Sequence, residues 1–188
     1  MVDPNETAEV KRLRTFLSIV ARVANVRFEV RELDPAHQPA HQGEIWGRDP
    51  TPYLNTRILE LGLGYAEAPV AQWHLLARNE AQAALRDALR WDQAYGSQRV
   101  ERVVADRIAT CFVELFDEWG RFFTNASFEK QPMPPGDSWS GTSRSRGAPE
   151  LGWRATGWYG LVTGATFEAG VVAADGQRIG CLYVADED

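Results

Sequence analysis

The chain has 188 residues, 44% of them apolar, and a formal net charge of -6. That length suits a single domain over 1–188, and that apolar content argues against global disorder. The charge weighs against direct nucleic-acid binding, which usually calls for a basic chain, and suits a protein that stays soluble or docks on a basic partner.

The opening run MVDPNETAEVKRLR lacks the apolar block of a secretory signal, and no apolar run nears the roughly 20 residues that span a bilayer. The expected location is therefore a reducing cytoplasm, away from membranes. Cys111 falls in a helical seam and Cys181 on a strand, so both read as small core residues. A Cys111–Cys181 bridge is the one disulfide open to the chain, and nothing resembles a zinc framework.

In chain order, Asp3-Pro4-Asn5-Glu6 predicts a helix start, with Asp3 as cap and Pro4 in the first turn. Val10, Leu13, Leu17, Val20 and Ala24 share one face, so 4–24 reads as helix. The period then drops to two. Val26, Phe28 and Val30 alternate with Arg27, Glu29 and Arg31, which predicts a half-solvated antiparallel or edge strand over 25–33. Four prolines in 34–52 mark a loop, with a short strand at 44–47, and a short helix over 53–61 stops at Gly62 and Gly64.

A long helix is predicted over 67–95, where Val70, Trp73, Ala77, Ala81, Ala84, Ala88, Trp91 and Tyr95 step by three and four. Its alanine-rich seam allows another helix to come close. Gly96 suits the helix end and Ser97 the next cap. Residues 97–123 then predict the central core helix, with a seam of Val100, Val104, Ile108, Cys111, Leu115, Trp119 and Phe122, widened by Val103, Phe112, Phe116 and Phe123. Two helices joined by so short a turn should form an antiparallel hairpin.

Residues 126–151 are rich in Pro, Gly and Ser and read as a long loop of the functional or disordered kind. Strands are predicted at 152–163, 166–174 and 177–184, with Asp175-Gly176 as the centre of a type I′ turn. Gly157, Gly160, Gly170 and Gly180 would let a helix or ligand approach the sheet backbone. The last four residues, 185–188, form an acidic tip. The expected fold class is α+β: three main helices, including the antiparallel hairpin, packed on a C-terminal antiparallel β-meander.

The nearest approach to a motif is ILELGLGYAEAP, residues 58–69, with Glu60 ahead of Gly62-x-Gly64. It resembles the first motif of Rossmann-type methyltransferases, which would imply cofactor binding. Ala66 holds the third glycine position, and the βαβ alternation of that fold is missing downstream. His37 and His41 are four apart but flank Pro39, which disfavours a shared helical face, and His74 falls on the second helix. No nucleophile elbow, Walker loop or paired-carboxylate signature is present, so no catalytic residue, metal or cofactor is assigned.

The candidate partner-binding residues are Glu114, Asp117, Glu118, Trp139, Arg144 and Arg146. The three acids crowd the second half of the 97–123 helix, with Glu114 and Glu118 repelling across one face and the acidic tip adding to the patch. Trp139, Arg144 and Arg146 supply an aromatic anchor and anion-binding guanidinium groups within the long loop. The expected function is a small acidic interaction protein that binds and occludes a protein partner of basic character. Toxin-neutralising immunity proteins and phage inhibitors of host defence work in this way. The alternative is a small enzyme or small-molecule-binding domain, with a pocket between helices and sheet lidded by 126–151.

Overall fold

A computed structural model describes residues 6–33, 49–60, 70–92, 97–132, 151–158, 162–163 and 165–186. The elements are α1 (Ala8–Val20), β1 (Asn25–Glu32), α2 (Thr51–Glu60), β2 (His74–Leu76), α3 (Arg78–Arg90), α4 (Arg102–Val113), β3 (Arg121–Thr124), β4 (Ala126–Pro132), β5 (Leu151–Trp158), β6 (Phe167–Ala174) and β7 (Arg178–Asp186). This is an α+β fold. Its main sheet is antiparallel throughout, in the order β1-β7-β6-β3-β2, and β4 pairs with β5 in a separate two-stranded ribbon. An all-antiparallel sheet is incompatible with a Rossmann core. The residues ahead of Gly62 belong to helix α2 and not to a strand.

The central strands β6 and β7 are buried on both faces of the sheet. Along β6, Ala169, Val171 and Ala173 join one apolar cluster while Val172 and Ala174 join another; along β7, Leu182 and Val184 oppose Ile179, Cys181 and Tyr183. The first cluster takes in α1, α3 and α4, and the second takes in Leu54 and Ile58 of α2 with Val70 and Trp73. Asn55 ties that second layer together, donating to the Val70 carbonyl (2.8 Å) and accepting from the Trp73 indole (2.9 Å). Helical cover therefore lies on both sides, where one layer was expected. Strands buried on both faces read as continuous apolar runs, and β6 (FEAGVVAA) does.

The helices differ from expectation at their ends. Thr7 and not Asp3 caps α1, its hydroxyl accepting from the Val10 amide at 3.5 Å. The 67–95 helix begins only at Arg78, because 74–76 is edge strand β2 paired to β3. Ala77 N donates to Glu80 (2.8 Å) at its start, and Trp91 is extended at its end and bridges to Gln98. α3 is the central helix. It meets α4 and strands β3, β5, β6 and β7 through buried Ala81, Ala84, Leu85, Ala88 and Leu89. Gln82 donates to Thr110 (2.7 Å) and Arg78 to the Val113 carbonyl (3.0 Å), so the start of α3 lies by the end of α4. α1 also runs against α4: Phe16 meets Arg107, and the turn after α1 shares a groove with Arg99, just ahead of α4.

The 97–123 helix is a correction. It ends at Val113, and Phe122 and Phe123 lie on β3, one facing each apolar cluster. Gly120 allows the close return into β3, since a Cβ there would sit 2.9 Å from Phe116 Cβ and 3.1 Å from the Asp117 carbonyl. The three-strand meander is corrected too, because β5 leaves the main sheet for β4 while β6 and β7 alone form the C-terminal hairpin. In that hairpin Asp175 N donates to Arg178 O, so Gly176 and Gln177 are the central pair. The stretch 126–132, expected as loop, is strand. Residues 3–5, 44–47, 95–96, Gly160 and Gly164 lie outside the described residues.

Gly170 shows why one strand position admits no side chain. A Cβ there would lie 2.5 Å from Tyr183 Cγ and would also meet the Leu182 carbonyl. Gly170→Ala is expected to cost about 3 kcal/mol, at the upper end of overpacking penalties, read as a lower urea midpoint.

Candidate functional site

The turn at 114–120 is the most fully constructed exposed feature. Helix α4 ends without a basic residue in its last turn, leaving carbonyls that need donors. Two arginines from other elements supply them. Arg78 donates to the carbonyls of Val113 (3.0 Å), Phe116 (3.4 Å) and Asp117, and Arg178 donates to Leu115 (2.7 Å). Asp175, buried in the β6–β7 turn, accepts from the Asp117 amide at 3.1 Å and from the Gln177 and Arg178 amides at 2.7 Å each. Asp117 closes the turn on itself, its carboxylate accepting from Trp119 N (2.8 Å) and its carbonyl from Gly120 N (3.0 Å). Arg78 also stacks 5.1 Å from the Phe122 ring centre.

This scaffold presents Trp119, which is 64% exposed. Helical spacing had placed Trp119 in the core seam; the break after Val113 turns it outward. Glu114, Asp117 and Glu118 are all exposed beside it, with Arg121 on the strand side. Glu114 is the C-cap of α4 and Glu118 lies beyond the helix, so they do not share a helical face as expected. Acidic groups at the negative end of a helix are unfavourable. The acidic tip does not join them: Asp186 is buried and ion-paired with Arg99, at the opposite end of α4, and residues 187–188 lie outside the described residues. Trp139, Arg144, Arg146, His37, His41, Gly62 and Gly64 also lie outside them. His74 is half-buried on β2, not on a helix.

Two other polar clusters are structural. Glu168, fully buried, accepts from Asn125 Nδ2 (2.6 Å), Val162 N (2.6 Å), Thr163 N (2.7 Å) and Thr163 Oγ1 (2.7 Å), while Tyr183 donates to Asn125 Oδ1 (2.9 Å). Asn125 stands where the chain leaves the main sheet for β4, and 162–163 follow β5, so the carboxylate clasps both roots of the ribbon. Arg99 bridges Asp92 and Asp186 beside an open groove of about 530 Å³ formed with the 21–25 turn. Neither cluster was legible in advance, because Asn125, Glu168 and Tyr183 are far apart in sequence and carry no motif. Among the described residues no three His, Cys, Asp or Glu side chains converge as metal ligands, and no helix is long and apolar enough to cross a membrane.

Comparison with protein-family models, with curated proteins and with solved structures returns no match.

Arg78→Met should release the α4 carbonyls, costing about 1–3 kcal/mol in denaturant unfolding and removing exchange protection from the Gly120 amide. Burial pushes the Cys181 thiol up to about 12 and the Tyr183 phenol well above its ordinary value. A raised acid stays protonated in the folded state while its unfolded counterpart ionises. Folding stability is therefore expected to fall between the ordinary thiol value of 9.0 and about 12. Cys181 should resist Ellman's reagent at pH 8 until the chain unfolds, and half-buried Cys111 should react first.

Proposed function

We propose that this chain is a protein-binding module that docks the Trp119 indole into a pocket on a basic partner and occludes that partner, in the manner of immunity proteins and anti-defence inhibitors. The observation that carries the reading is the 64% exposure of Trp119 on a turn fixed by Arg78, Arg178, Asp117 and Asp175. An anchor whose backbone is already fixed has less chain entropy to lose on binding, and Trp is among the residues enriched at binding hot spots. Asp117 closes the turn through its carboxylate, but Glu114 and Glu118 are exposed at and just beyond the helix end, where negative charge is disfavoured, so helix stability does not explain them. They fit the role of a rim that steers a basic surface and sets the association rate. The place of action is the cytoplasm, with which two free cysteines agree.

A photo-crosslinking amino acid at position 119, introduced in the native cell, should capture one basic protein that a probe at exposed Leu59 does not. Trp119→Ala is then expected to weaken binding of the purified partner by about 2 kcal/mol or more. Glu114→Gln with Glu118→Gln, which leaves Asp117 and the turn intact, should slow association and weaken its salt dependence. Unchanged affinity in Trp119→Ala would contradict the proposal.

A further inference from the structure

A second surface of opposite sign lies between α1 and α4. Phe16, half-buried on α1, carries two guanidinium groups on one ring: Arg12 and Arg107 each stand 5.8 Å from its centroid. Both arginines are exposed, and among the described residues neither forms an ion pair. Two like charges on one ring repel, and a carboxylate between them would relieve that repulsion. The contrast is Arg99 at the start of the same helix pair, already held by Asp92 and Asp186.

Exposed aliphatic side chains adjoin the pair. Ile19 lies one turn after Phe16 on α1 and Val23 lies in the turn that follows the helix; they are 59% and 53% exposed. Val103, 73% exposed, lies one turn from Arg107 on α4. Arg22, exposed in the turn after α1, adds positive charge beside Val23. Glu101 and Asp106 break up the basic surface and disfavour a long polyanion such as nucleic acid.

We infer that the Arg12–Phe16–Arg107 face, with Ile19, Val23 and Val103, is a docking surface for a short acidic segment of a protein partner that carries aliphatic side chains. The carboxylates of that segment bridge the two guanidinium groups and its aliphatic groups cover the three exposed side chains. This surface is separate from the Trp119 turn and does not depend on it.

The test is fluorescence anisotropy with a labelled ten-residue peptide of alternating Glu and Leu pairs, against the full chain. Binding is expected, weakened about tenfold or more by Arg12→Gln with Arg107→Gln, and several-fold by Ile19→Ser with Val103→Ser. Trp119→Ala should leave it unchanged, which separates this surface from the one proposed above. All five substituted residues are exposed, and thermal melts check that the variants fold; Arg12→Glu alone replaces the double arginine variant if that one melts early. Four results would overturn the inference: no binding at millimolar peptide, equal binding of an all-Glu peptide or a Lys–Leu peptide, tighter binding of oligothymidylate or phosphatidylserine vesicles, or full binding in the double arginine variant.

Discussion

The carbonyl groups at the end of α4 are satisfied by side chains borrowed from α3 and from the β6–β7 turn, and the exposed face of the molecule depends on that loan. Arg78, Arg178 and Asp175 reach the same short stretch from two elements distant in sequence. Without them the helix would fray into solvent, since it has neither a basic last turn nor a glycine at its end. With them, the chain reverses within a few residues and β3 enters the sheet with Phe122 and Phe123 facing opposite layers. The outward position of Trp119 follows from that reversal.

The sheet beneath is held by apolar contact on both faces and by one buried carboxylate. Glu168 has a donor for each lone-pair direction it uses, so its burial is compensated. Because those donors come from both roots of the β4–β5 ribbon, the same group fixes where the ribbon departs from the main sheet. Tyr183 lies over Gly170 and reaches Asn125, which joins the hairpin to that clasp.

Where local pattern and tertiary packing agree, the sequence was readable. The alternation of β1, the short helix α2 and the C-terminal hairpin appear close to their expected bounds, and the apolar stripe of α1 is found as read although the helix is shorter at both ends than the expected 4–24. Errors cluster where steps of three and four coincide with other structure. Val70, Trp73 and Ala77 fit a helical seam, yet 74–76 is an edge strand; Leu115, Trp119 and Phe122 fit one too, yet a turn anchored from elsewhere intervenes. Periodicity cannot register a side chain arriving from another element, and Arg78 and Asp175 are such side chains. The acids at Glu114, Asp117 and Glu118 were visible as charge, but their placement around an exposed indole was not.

The two surfaces described here share α4 and differ in sign, one acidic around Trp119 and one basic around Phe16, which suits a small chain that engages more than one partner patch. The account rests on Trp119 being presented by a turn that is rigid before any partner arrives. Backbone ¹⁵N relaxation on the free protein measures that directly. An order parameter near 0.85 for the Trp119 amide, equal to that of the α4 interior, is the expected result, and a value below about 0.6 would contradict it.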